Sequence, residues 1–315
     1  MEKHLLLTVS EQKSALHGAR FLAGFFGNKD VVKLTLFYTI PRPAAVWTGE
    51  KTREKVAEQE DMARKSEAKA KKALQEAKSE VIKLGFSEDR VLVRLQTRQF
   101  SKVKDILEES ERGLYDAIVL GKRGLNWFEE AFDGSVTKEI LEKRPGCPIW
   151  ICRRPEPERK GVLLCMDGSD GSYRMADHVG FVLGTEQRHS VKIFVVKGRE
   201  LQDTPEAIIA KGRELLAKGQ VPNVRVSASA VDAASPARAI LREAEEGGYA
   251  AVAAARNEQE KGLMNKMFLG SVTMTLFREI ENAALWVSGS RAHQKESPRS
   301  DHLLQNSGTS ITMTV

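Results

Sequence analysis

The sequence predicts an α/β protein in which one open-sheet domain is written twice, each copy a five-stranded parallel sheet with helices on both faces. Three observations carry this. Residues 134–152 (GSVTKEILEKRPGCPIWIC) and 270–288 (GSVTMTLFREIENAALWVS) align without a gap, matching Gly134 with Gly270, Ser135 with Ser271, Thr137 with Thr273 and Trp150 with Trp286. Short apolar runs alternate with amphipathic stretches, the pattern of buried strands joined by crossover helices. At 315 residues the chain holds two domains of ordinary size.

In the first copy, HLLLTV (4–9) reads as a strand buried on both faces. Residues 11–26 have helical spacing through Ala15, Leu16, Ala19, Leu22, Ala23 and Phe26. VVKLTLFYTI (31–40) is the second strand, stopped by Pro41 and Pro43. Residues 50–84 read as one long helix. Only its second half carries an apolar stripe (Ala70, Leu74, Ala77, Val81, Leu84), so the first half is expected to face solvent or a partner. RVLVRLQT (90–97) is the third strand, followed by a helix from Ser101 to Arg112 and a fourth strand, YDAIVL (115–120). Gly121 to Gly134 is a loop, Ser135 to Lys143 a helix, and CPIWIC (147–152) the fifth strand.

In the second copy, GVLLCM (161–166), HSVKIFVV (189–196), VRVSASAV (224–231) and YAAVAA (249–254) match the first four strands. The offset between copies falls from 157 at the first strand to 134 at Tyr115/Tyr249, so the second copy lacks 23 residues. The shortening falls most simply in the Pro-rich loop and long helix. The expected organisation is a domain over 1–153, a linker over 154–160, a second domain over 161–290, and a flexible polar tail over 291–315.

Net charge is +6, but acids and bases interleave, as in EKTREKVAEQEDMARKSEAKAKKA, which reads as a solvated helix face. No basic patch interleaved with aromatics points to nucleic acid. No apolar run approaches the roughly 20 residues that span a bilayer, and the N-terminal apolar stretch is too short for a signal peptide, so a cytoplasmic location is expected. Cys147, Cys152 and Cys165 read as buried thiols rather than a disulfide framework. The histidines form no pair at metal-ligand spacing, and no Ser-His-Asp pattern points to catalysis.

One motif carries chemistry: Gly121-x-x-Gly124, nine residues, then Gly134-Ser135, between a strand and a helix. Glycines there let backbone amides approach an anion, and the helix start adds unpaired N–H groups. Ser135 can donate its hydroxyl to a phosphate oxygen, and Lys122 or Arg123 can add charge. With this motif the chain resembles the universal stress protein family, over residues 4–152 and 161–288. The resemblance implies a sheet order of 3-2-1-4-5 and a crevice between the first and fourth strands. It implies ATP or another adenine nucleotide, with magnesium as an accompanying ion, held in the first domain by Ser10, Thr39, Leu120, Gly121, Arg123, Gly124, Gly134, Ser135 and Val136. Ser10 stands where ATP-binding members carry an aspartate.

The second copy departs the other way. Asp167 keeps the acid in MDGSDGS, where it also reads as a turn residue, but Ala255 and Glu258 replace the first two loop glycines. Glu258 and Glu260 oppose an anion, so no nucleotide is expected there. Family dimers pair through the fifth strand, which implies an intrachain pseudo-dimer about Trp150 and Trp286, with a homodimer as a further level. The functional expectation is a nucleotide-responsive regulator acting on an unknown protein partner. The alternative is a nucleotide-free scaffold, and a slow ATPase ranks last.

Overall fold

A computed structural model of the chain describes residues 1–11, 13–41, 53–121, 136–143, 145–197, 201, 203–256 and 271–290, with backbone alone at 13, 14 and 53–56. The first half forms β1 (Lys3–Thr8), α1 (His17–Phe25), β2 (Val32–Ile40), α2 (Arg53–Lys83), β3 (Val91–Thr97), α3 (Lys102–Arg112), β4 (Ala117–Gly121), α4 (Val136–Glu142) and β5 (Ile149–Cys152). The second half forms β6 (Val162–Met166), α5 (Asp170–Leu183), β7 (Val191–Lys197), α6 (Pro205–Lys218), β8 (Val226–Asp232), α7 (Pro236–Glu246), β9 (Ala251–Ala254), α8 (Ser271–Glu279) and β10 (Ala284–Val287). Most strand ends shift by one or two residues from the sequence reading. The sequence-predicted helix over 11–26 instead begins with a 3-10 turn at Lys13–Leu16, and no side chain caps α1 at Leu16.

The order β3-β2-β1-β4-β5 recurs as β8-β7-β6-β9-β10, and the described strands form one continuous sheet. Pairing within each half is parallel. The halves meet where β10 pairs antiparallel with β5, Trp286 opposite Trp150. β5 and β10, each an edge within its own half, thus find their missing ladder in the other, while β3 and β8 remain the outer edges.

Alternation along the strands sends side chains to two cores. Leu5 and Leu7 pack with α1, α2, α5 and α6 on one face. Leu6 packs with α3, α4, α7 and α8 on the other. Both cores run unbroken across the joint. In α2, Ala70, Leu74, Ala77 and Val81 are buried, whereas residues 57–69 are largely exposed, with Met62 at 65%.

At the joint the two indoles stack with centroids 4.1 Å apart and planes 8° from parallel. Phe21 of α1 lies edge-on to both. Trp150 Nε1 donates to His178 Nε2 at 3.0 Å. His178 is held neutral, its pKa pushed down to about 3 by burial first and by the charge of Lys3 second. Arginines then cap helices across the joint. Arg153 donates to the carbonyls of Phe277 and Arg278, and Arg256 donates to that of Leu141. Leu141 and Phe277 are equivalent in the two copies, so each half supplies a cation to the closing turn of the other's last helix.

Candidate functional site

Open α/β sheets leave a crevice at the carboxyl ends of the strands where strand order reverses. In the first half this point lies between β1 and β4, with Leu7 opposite Val119. Thr39 stands at the end of β2, Ser10 two residues past β1, Leu120 and Gly121 at the end of β4, and Val136 at the start of α4. Topology therefore brings these five residues to one edge. From β2 to β4 is two strand spacings, about 10 Å. Arg123, Gly124, Gly134 and Ser135 lie outside the described residues, as do Trp127, Glu129, Glu130 and Asp133.

Helix α1 lies close over this crevice because of Gly18. A Cβ there would stand 2.6 Å from Leu7 Cδ1, 3.0 Å from Val119 Cγ1 and 4.0 Å from Gly121 N. Thr39 is buried, and its hydroxyl has no hydrogen-bond partner among the described residues. Such an orphan costs about 1–3 kcal/mol. A hydroxyl left this way at the crevice edge suits a ligand with polar ring edges.

The fold adds residues the motif did not mark. Tyr38 donates its hydroxyl to Glu11 Oε1 at 3.3 Å. Burial first, and the Glu11 charge second, raise the Tyr38 pKa. Lys102, at the start of α3, has its pKa lowered by burial first and by neighbouring Arg98 second. Asp105, fully buried, accepts the backbone N–H groups of Gln99 and Phe100 at 3.2 Å each and so fixes the β3–α3 turn. Ser101 caps α3 by accepting Lys104 N–H, a signal legible in sequence. The meeting of Glu11 with Tyr38 of β2 and Lys102 of α3 had no such signal, since only strand order places them together.

The second crevice is built differently. Asp167 Oδ1 accepts from Ser169 N at 3.0 Å and from Ser169 Oγ at 2.6 Å, which makes it a turn former. Arg256 N–H donates to Ser288 Oγ at 3.0 Å, and Thr273 Oγ1 donates to the Ala255 carbonyl at 2.9 Å. A Cβ on Gly171 would stand 3.1 Å from the Arg256 carbonyl oxygen and 3.4 Å from Ala255 Cβ. The segment leaving β9 is thus packed against α5, with the Arg256 amide already used. Glu258, Glu260 and Gly270 lie outside the described residues.

Among the described residues, no three His, Cys, Asp or Glu side chains group as a metal site, and no helix is long and apolar enough to cross a membrane. Cys152 and Cys165 are buried and Cys147 partly so. Burial pushes the Cys147 thiol up to about 12 and raises the other two further, which keeps all three protonated and unreactive at neutral pH.

Fold and site together define a doubly wound α/β protein with a crevice at its strand-order switch. Residues 1–153 match the universal stress protein family, so the chain carries a universal stress protein domain over that span. In fold, the chain is similar to a universal stress protein from Archaeoglobus fulgidus. The two are 18% identical with a TM-score of 0.64, over 91% of this chain and 98% of that one. It is also similar to a functionally unknown protein from Pseudomonas aeruginosa, 16% identical with a TM-score of 0.52, over 91% and 92% of the two chains. No curated protein matches the sequence.

Proposed function

We propose that the first half binds an adenine nucleotide, ATP or a close relative with or without magnesium, and that the occupied crevice is read by a protein partner. The carrying observation is the fit of Gly121-x-x-Gly124-x9-Gly134-Ser135 to the family signature, beginning at the last residue of β4 beside the switch point. In this reading backbone amides and the Ser135 hydroxyl hold phosphate, Arg123 adds charge, and Ser10 and the orphaned Thr39 hydroxyl hydrogen-bond the nucleoside. The domains are 1–153 and 161–290, linked by 154–160 and joined through β5 and β10 like the two members of a dimer. The second domain carries no nucleotide, supported by the committed Arg256 amide and by the packing of Gly171. The protein then acts as a cytoplasmic regulator. The exposed stretch of α2 favours a second reading, a nucleotide-free scaffold.

Occupancy separates the two. Purified protein is denatured, released nucleotide is identified by mass spectrometry, and the measurement is repeated with Gly124→Asp and Ser135→Ala. An adenine nucleotide is expected from the parent chain and not from Gly124→Asp. Excess Mg-ATP at a hundredfold over Kd stabilises the fold by about 2.7 kcal/mol. No released nucleotide and no thermal shift would leave the scaffold reading. Turnover abolished by Gly124→Asp would make the protein a slow ATPase.

A further inference from the structure

We propose a second ligand site, a cleft at the joint between the halves that takes a small organic anion with an apolar ring. It lies between α1, the linker after β5, and the amino ends of β9 and β10. Its inner part, about 70 Å³, is floored by Phe21, Phe25, His189, Ala283 and Ala284. It opens past Arg20, Gly24 and Arg154 to an outer part of about 530 Å³, which falls in the size range of small-molecule sites. Clefts between domains are a preferred place for such sites.

The charge on the lining is positive. Arg153 is spent on the carbonyls of Phe277 and Arg278, and Arg159 on Glu156, Glu245 and the Ala244 carbonyl. Glu156, the acid on the lining, is therefore already paired. Arg20 shares Glu80 at 3.3 Å in a largely solvated pair worth little. Exposed Arg154 makes no ion pair or side-chain hydrogen bond among the described residues. A ring on the apolar floor with its anionic group at Arg154 and Arg20 satisfies both parts of the lining.

Gly24 shows that the space is not a packing requirement. It lies exposed in the last turn of α1, one residue before the helix ends at Phe25. A Cβ there would meet no atom within 4 Å, whereas one at Gly18 would collide with Leu7. The repeat supplies the comparison. At the offset of 157 that aligns β1 with β6, Phe21 corresponds to His178 and Gly24 to Phe181. Phe21 and His178 occupy matching places, each against both indoles of the joint. Phe181 fills its position, its ring 5.0 Å from Lys3 Nζ. The first half leaves the counterpart open and rims it with arginine.

The probe is 8-anilinonaphthalene-1-sulfonate, an aromatic sulfonate that brightens on leaving water, titrated into the folded full chain. One saturable site per chain is expected, untouched by saturating Mg-ATP. Gly24→Phe, which copies the Phe181 arrangement, should weaken it at least tenfold, and Arg154→Glu several-fold. Far-UV circular dichroism confirms folding of each variant. Should Gly24→Phe fail to fold, Arg154→Glu and Arg20→Glu decide the matter. No saturable binding, displacement by Mg-ATP, or unchanged affinity in the folded variants overturns the proposal. Failure of the nucleotide test leaves it standing, since no crevice residue takes part.

Discussion

Trp150 and Trp286 face each other in register and are both fully buried, yet they should not be equally costly to change. Replacing either with phenylalanine removes the same indole-to-phenyl volume and disturbs the same stack, worth about 0.5–1.5 kcal/mol beyond burial. Those losses cancel in the comparison. What differs is the N–H. Trp150 donates to His178 Nε2 at 3.0 Å, so Trp150→Phe leaves a buried nitrogen without a donor, at about 1–3 kcal/mol. The Trp286 N–H is buried with no partner among the described residues, so Trp286→Phe removes a group that already costs the fold. Trp150→Phe should therefore be the more destabilising by about 2 kcal/mol. Urea titration of both variants, followed by far-UV circular dichroism, measures the difference as a shift in midpoint at constant slope. The double variant Trp150→Phe/His178→Phe should recover part of the loss, because removing both partners of a buried hydrogen bond leaves no orphan. Equal losses, or a larger one in Trp286→Phe, would refute the reasoning.

Two further outcomes follow from the same geometry. His178 titrates near 3 in the fold against an ordinary 6.5, so the unfolded chain takes up its proton first on acidification. Its contribution to stability is complete above about pH 6.5 and is lost as pH falls toward 3, by up to about 1.4 kcal/mol per pH unit. His178→Gln keeps an acceptor for Trp150 without a titrating ring. Denaturation between pH 7 and 4 should therefore show a flatter acid slope in that variant, and parallel slopes would contradict the assignment. Within α1, alanine at two glycines should act with opposite sign. Gly18→Ala drives a methyl into Leu7 and Val119 and should cost about 1–3 kcal/mol while weakening nucleotide binding. Gly24→Ala meets open space and should stabilise by about 0.5–1 kcal/mol, and thermal melts of both check the pair.

The strands were legible because each is a short apolar run bounded by turn residues, and a strand buried on both faces can hardly be written otherwise. The long helix was legible in both halves of its character: a buried stripe from Ala70 to Val81 and a polar stretch before it. The motif after β4 was legible because glycine spacing survives as a linear pattern. The meeting of Glu11, Tyr38, Arg98 and Lys102 was not, since their proximity depends on β1, β2 and β3 lying side by side. Nor was the asymmetry at the joint. The aligned tryptophans look identical in sequence, and only the reach of His178, on α5, to the N–H of Trp150 separates their roles.

By itself, then, the sequence determined the α/β class, the doubling, and which copy kept the spaced glycines, because periodicity and glycine spacing are local properties of a chain. Tertiary structure decided what became of the equivalent positions. The Arg256 amide was committed to Ser288, Phe181 was packed over Lys3, and Gly24 was left facing an arginine-rimmed cleft. Those outcomes depend on contacts between residues from 32 to 178 positions apart and on the antiparallel joint that turns two copies of one domain into unequal neighbours.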